Sequence, residues 1–511
     1  MRATDSTWWR DGVLYQIYPR SFADSSGDGI GDIAGVVEKL DYLEWLGVAG
    51  IWLNPTMPSP NFDWGYDVSD YCDVHPDLGT LADLDRLVAQ AGRRGIQVLL
   101  DLVPNHTSDR HAWFADSRSS RTSGHRDWYF WRDAKPDGSP PNNWRSTFGK
   151  RSAWELDPAT GQMYMHHFLP QQPDLNWWNE DLRDAFDAVQ RFWFARGVAG
   201  FRIDVVSELV KLRDLPDDAE PGEFARHADE GETHRVLQRW RALADSYEPR
   251  RILIGETWAM DAENLASFYG TGTDELHLAF NFPFMFASLD AAQMRTVIEQ
   301  AEAALPQGAW PVWTGSNHDF VRFPTRWCDG DERKVRCALL LLLTLRGTPF
   351  LYYGDELGMR QAEVTGGDVR DPADRRDGAR TPMQWAAVDG AGFTSPAMQP
   401  WLPFGDFAER NVEAQRADPA SHLNLVRDLI ALRRERPELR QGSYESIAAP
   451  EGCWAWRRGA EIAVAVNLSD GDVAVEEVQG AITLATERAR EGERVDGTLR
   501  LAPWTGAVVA R

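Results

Sequence analysis

The chain has 511 residues, 43% of them hydrophobic and 26% charged, and carries a formal net charge of −24. This is the composition of an ordinary globular protein, long enough for roughly two to four domains. The acidic balance argues against nucleic acid or an anionic membrane as a partner and favours a neutral or cationic substrate.

Four cysteines, Cys72, Cys328, Cys337 and Cys453, show no metal-ligand spacing and are too few for a disulfide scaffold. The first residues, Met1 to Trp9, lack the apolar core of a signal peptide. The apolar run Leu339–Leu345 is too short to span a bilayer. A cytoplasmic protein, monomeric or homodimeric, is the expectation.

Val13–Pro19 reads as a first strand. In the loop after it, from Asp24 to Asp32, oxygen-bearing side chains fall at alternate positions. A glycine follows the third, as in the first part of an EF-hand loop, but Gly35 stands where that loop places its glutamate. A solvated, glycine-rich turn is the competing reading. Gly50–Pro55 is the second strand. Leu81, Leu84, Leu87 and Val88 share one helical face, with Gly92 or Gly95 available to end the helix.

The third strand, Gln97–Val103, leads into Pro104-Asn105-His106. From Pro104 to Pro173 the strand–helix rhythm disappears, and such long insertions in compact domains are usually functional. His111, His125, His166 and His167 lie in it without ligand spacing and read as structural or surface residues. The helix Leu182–Arg196 leads to the fourth strand, Gly200-Phe201-Arg202-Ile203-Asp204. Alternation puts Arg202 and Asp204 on one face, where an arginine fork favours an ionised carboxylate, as a carboxylate nucleophile requires.

Arg251–Glu256 is the fifth strand and Leu276–Asn281 fits the sixth. Pro311–Ser316, the seventh, ends at Asn317-His318-Asp319, and Thr348–Gly354 fits the eighth. A polar insertion follows, carrying Asp377–Trp385. After a last helix, Leu423–Arg436, short alternating strands such as Glu461–Val466 imply a small antiparallel domain.

Polar residues gathered at the C-terminal ends of several strands are what a (β/α)8 barrel presents at its catalytic face. The segments around His106, Asp204, Glu256 and Asp319 resemble, in order, the four signature regions of the α-amylase family, glycoside hydrolase family 13. Gln172–Trp177 is similar to a fifth motif of its oligo-1,6-glucosidase group. The resemblance, to the α-glucosidase/oligo-1,6-glucosidase branch, runs through about the first 430 residues.

It implies an α/β fold: a (β/α)8 TIM barrel over residues 1–103 and 174–435, with a loop-rich domain, 104–173, inserted after the third strand. A C-terminal antiparallel β-sandwich domain would cover 436–511. The implied activity is that of a retaining exo-acting α-glucosidase cutting short maltose- or isomaltose-type oligosaccharides. Asp204 would be the nucleophile, Glu256 the acid/base with a raised pKa, and Asp319 the carboxylate stabilising the transition state. Tyr66 and Asp67 would hold the terminal glucose with His106, Arg202 and His318, and Arg380 would partner Asp67.

The resemblance also implies a structural Ca²⁺ on Asp24, Ser26, Asp28, the Ile30 carbonyl and Asp32, with no cofactor for catalysis. Many relatives have asparagine where Ser26 stands. Val205 leans towards α-1,6 links, but other stretches are similar to maltose-type enzymes, so the linkage stays open. A transglucosidase or a trehalose- or sucrose-isomerising enzyme would share every catalytic residue. A non-catalytic barrel, like those of transporter heavy chains, need not keep three carboxylates.

Overall fold

The structure is a computed structural model describing residues 7–149, 151–219, 227–366, 369–373 and 375–511. Its first three strands, β1 (Leu14–Ile17), β2 (Gly50–Leu53) and β3 (Gln97–Leu102), pair in parallel and in sequence order. The chain then leaves the barrel at His106 and rejoins it at Asp174, where those two residues form a bridge. Between them β4 (Trp131–Arg132), β5 (Trp154–Asp157) and β6 (Gln162–Met165) make a small antiparallel sheet in the order β4-β6-β5.

Five further strands complete the barrel: β7 (Gly200–Ile203), β8 (Ile252–Gly255), β9 (Leu278–Ala279), β10 (Val312–Thr314) and β11 (Thr348–Tyr352). The eight-stranded order is β10-β11-β1-β2-β3-β7-β8-β9. Because β1 pairs with both β2 and β11, the first and last barrel strands are neighbours and the sheet wraps round.

Capped helices link the strands. Thr80 and Asp83 form a capping box at the start of Leu81–Arg93, ahead of β3. Asn179 caps Glu180–Ala195, ahead of β7. Gly200 opens β7 because nothing larger fits: a Cβ there would lie 2.0 Å from the Ile252 carbonyl oxygen on β8. The apolar run foreseen at Leu339–Leu345 belongs mostly to the buried helix Glu332–Thr344. No described helix is long and apolar enough to cross a membrane.

The barrel interior explains where the polar residues sit. Leu14, Trp52, Leu99, Ile254, Val312 and Phe350 form one buried cluster, and each such side chain contributes about 1.5–3 kcal/mol by leaving water. One two-residue step further along the strands, on the same face, come Gln16, Asn54, Asp101 and Arg202, all buried. The barrel is therefore apolar below and polar above.

The C-terminal unit has six antiparallel strands: β12 (Tyr444–Ile447), β13 (Cys453–Arg458), β14 (Ile462–Asn467), β15 (Val473–Ala485), β16 (Arg494–Leu501) and β17 (Gly506–Ala510). One face gathers Ala465, Ile482, Leu499 and Val509 into its own core. The other sends Trp454, Trp456, Val464 and Val508 into the core shared with the barrel.

Candidate active site

Ile203 and Gly255 are register partners on β7 and β8, so the next residues, Asp204 and Glu256, emerge side by side at the barrel's C-terminal end. Their carboxyl groups are in hydrogen-bond contact. Arg202 lies between three carboxylates: Nη1 donates to Asp101 at 2.9 Å and to Asp204 Oδ1 at 2.7 Å, and Nη2 donates to Glu256 Oε2 at 2.7 Å. Its guanidinium stands 5.0 Å from the centre of the Trp52 ring.

Arg202 pulls the Asp204 carboxyl down, as expected of an arginine fork, but it does not decide the balance. Burial raises the Asp204 carboxyl well above its ordinary value, and Glu256 and Asp101 push the same way against Arg202.

Val205, directly after Asp204, adopts φ +48°, an outlier for a β-branched residue. That turn aims its N–H at Glu256 Oε2, 3.1 Å away. Strain of this kind concentrates at functional sites.

A cavity of about 340 Å³ opens above this pair, within the size range of small-ligand sites. Asp63, Tyr66, His106, Asp319 and Arg376 line one part of it; Thr147, Phe148 and Phe168 from the inserted segment wall another. Trp258 and Phe320 stand at the mouth, their rings stacked 6.0 Å apart. Trp258 is 43% exposed.

Asp319 is held well below the usual carboxylate range: burial works to raise it, but the His318 Nε2–H at 3.1 Å and the Arg376 and Arg380 guanidiniums outweigh that. His318 is driven neutral by burial. Its Nδ1 faces the Gln16 amide nitrogen at 2.9 Å, a donor, which leaves the Nε2 proton to face the Tyr66 hydroxyl at 2.6 Å and Asp319 at 3.1 Å. His106 is arranged alike, with Nδ1 facing Asn105 Nδ2 and Nε2 donating to the Tyr66 carbonyl at 2.9 Å.

Asp67 and Arg380 do not meet. Asp67 is buried away from the cavity, accepting from the Ser59 hydroxyl and from the Phe62 and Asp63 backbone at 2.7–3.0 Å; burial pushes its carboxyl up to about 6. The pocket aspartate is Asp63, four residues earlier, which Arg376 Nη2 reaches at 2.6 Å. Arg376 also pairs with Asp319 at 3.2 Å and Asp371 at 2.6 Å. Arg380 lies deeper, donating to the His318 carbonyl at 2.8 Å and Asp319 at 3.1 Å.

A family model described as the alpha amylase catalytic domain matches residues 16–442. The chain belongs to the α-amylase family. It is a glycoside hydrolase, and a domain of unknown function matches residues 440–508. Over 542 residues it is 39% identical to a probable alpha-glucosidase of Rhizobium meliloti (strain 1021), spanning 99% of this chain and 97% of that protein. An oligo-1,6-glucosidase of Heyndrickxia coagulans is 36% identical, over 92% of this chain and 94% of its own. The crystal structure of an α-glucosyl transfer enzyme, XgtA, superposes with a TM-score of 0.90 at 38% identity, over 99% of each chain.

The loop expected to hold Ca²⁺ in this α-amylase family member does not fit a cation as placed. Asp24 accepts from the Gly27 and Gly29 backbone and the Thr394 hydroxyl. Asp32 caps the following helix at Gly35 N and accepts from Ser25. Asp28 turns to the Ile30 N–H, and the Ser26 hydroxyl donates to Asp24. Donors occupy both oxygens of Asp24 and of Asp32, and among the described residues no three acidic, histidine or cysteine side chains converge.

Besides Asp63 and Arg376, sequence reasoning missed Asp101, Phe148, Phe168 and Glu208. Gln172, quoted within a family motif, reveals its purpose only in space, where Nε2 donates to Asp63 at 3.2 Å. The motif was the available signal for it; nothing local marks the phenylalanines.

Proposed function

We propose that this glycoside hydrolase is a retaining, exo-acting α-glucosidase that removes terminal α-linked glucose from short oligosaccharides. The observation that carries the reading is the contact between Asp204 and Glu256 in a cavity that the Asp63–Arg376 pair also lines. Inverting enzymes keep their carboxyls about 6.5–9.5 Å apart to admit a water, whereas retaining ones need about 5–5.5 Å. A contacting pair supports retention.

The retaining reaction requires the proton on Glu256 and an ionised Asp204. Arg202 engages Asp204 Oδ1, leaving the other oxygen to attack the anomeric carbon. As that bond forms, Glu256 protonates the departing glycosidic oxygen. Glu256 then takes a proton from water, which attacks the same carbon and frees Asp204. Asp319, kept ionised, stabilises the positive charge that develops on the ring. Asp63 and Arg376, ion-paired at 2.6 Å, hydrogen-bond the hydroxyls of the terminal sugar.

Transglucosylation is a supported companion reaction, since Trp258 and Phe320 offer stacking faces to a sugar acceptor at the mouth. The family resemblance that leans Val205 towards α-1,6 links turns on about one methyl group, which supplies only about 1–3 kcal/mol of discrimination, so mixed α-1,4 and α-1,6 activity is the reading.

Time-resolved product analysis with maltose, isomaltose, sucrose and trehalose tests this. The expected result is initial release of α-glucose from maltose or isomaltose, abolished in Asp204→Asn and Glu256→Gln. Isomerised disaccharide with little free glucose would replace the reading with that of a sugar isomerase.

A further inference from the structure

Glu208 is a buried carboxyl on the cavity wall that the proposed mechanism does not use. It ends the short turn Val206–Glu208 that follows Asp204, and it is 5% exposed. Its Oε2 is buried and has no hydrogen-bond partner among the described residues, although leaving a buried polar atom unpaired costs about 1–3 kcal/mol. Lys211, the cation beside it, is engaged elsewhere. It donates to Asn105 and to Glu208's own backbone carbonyl and pairs with Asp174 at 3.4 Å.

The turn's position fixes which part of a substrate Glu208 meets. Val206 N–H donates to the Glu256 carbonyl at 3.0 Å, Val205 N–H to the Glu256 carboxyl at 3.1 Å, and Trp258 N–H to the Ser207 hydroxyl at 3.2 Å. Glu208 is thereby stitched to the strand end that carries the acid, and the acid marks the leaving-group side of the bond. The terminal sugar lies on the other side, towards Asp63 and Arg376.

Resting on the α-glucosidase reading, we infer that Glu208 is a specificity residue that hydrogen-bonds a hydroxyl of the leaving-group sugar. A carboxylic acid in this position both donates and accepts, matching a sugar hydroxyl, and it does so without placing another charge beside Asp204 and Glu256. Burial pushes the Glu208 carboxyl up to about 8; Asp174 acts in the same direction and Lys211 opposes. Near neutrality it keeps its proton.

The test compares maltose with p-nitrophenyl α-glucoside, whose leaving group has no sugar hydroxyls. Glu208→Leu is expected to lower kcat/KM for maltose relative to the aryl glucoside by about 10-fold or more, the worth of one good hydrogen bond. Glu208→Gln, which keeps a donor and an acceptor, is expected to hold the ratio near wild type. In the wild type the ratio should fall as pH rises through about 8, and in Glu208→Gln it should not.

A Glu208→Leu enzyme whose losses are equal on both substrates overturns the proposal. A wild type that cleaves neither overturns the α-glucosidase reading instead. Retained turnover of the aryl glucoside also reports that the variant has folded.

Discussion

Asp63 and Arg376 are 313 residues apart in the chain and 2.6 Å apart in space. Arg376 reaches from the polar insertion after β11 to a loop after β2, and so joins two distant excursions of the chain across one end of the cavity. Removing Arg376 leaves Asp63 a buried carboxylate without its guanidinium, whereas removing Asp63 leaves Arg376 still paired with Asp319 and Asp371.

This pair is expected to carry terminal-glucose recognition, and Asp67 to carry stability. Asp63→Ala should lower kcat/KM by roughly 100-fold, two charge-assisted bonds at about 1.5 kcal/mol each. Asp67→Ala should instead lower the unfolding free energy by about 1–3 kcal/mol, because two buried donors and one part-buried donor lose their acceptor. Steady-state kinetics and denaturant melts on both variants check the assignment; the reverse pattern would restore Asp67 to the pocket.

Arg202→Lys is expected to lose about 100- to 1,000-fold in kcat. A lysine is a point charge and cannot bridge Asp101, Asp204 and Glu256 together. Near-normal turnover in this variant would mean that the three carboxylates are not held by the fork.

Asp174 provides a stability test away from the chemistry. Burial works to raise its carboxyl, but Lys211 and His167 outweigh it and hold it far below the ordinary value. A depressed folded pKa contributes stability that is fully present above the unfolded value, about 3.9, and lost as pH falls through the folded one. Asp174→Asn should therefore flatten the fall of Tm with acidification below about pH 4. Parallel Tm–pH curves for wild type and variant would refute this.

Chelation should leave the protein unmoved. An ion held at 100 times its Kd would add about 2.7 kcal/mol, several degrees in Tm for a chain of this size. Thermal melts with EDTA and with millimolar Ca²⁺ are expected to coincide, given the donors packed round Asp24 and Asp32. A calcium-dependent rise would show that the loop rearranges around a cation.

The barrel strands and the three catalytic-face carboxylates were legible because they share a local cause. Each follows an apolar run that alternation and length mark as a strand, so Asp204, Glu256 and Asp319 could be placed from neighbours in the sequence. Asp63 could not. Asp63 and Asp67 flank Trp64 and Gly65, whose φ values of +47° and +107° reverse the chain. Which aspartate faces the cavity is decided by that reversal, for which no periodicity exists. Arg376 and Arg380 pose the same problem within one irregular loop. Glu208 was invisible for another reason: its significance is an unfilled hydrogen bond, a property of packing rather than of order along the chain.

Because Arg202 ties Asp101 on β3, Asp204 after β7 and Glu256 after β8 into one unit, the spacing of the reactive oxygens is a property of the scaffold. The loops that carry Asp63, Phe148, Arg376 and Trp258 can change in length and sequence without resetting it. Such an architecture lets lineages diversify what is cut, or onto what the glucose is passed, while inheriting the bond-breaking geometry intact.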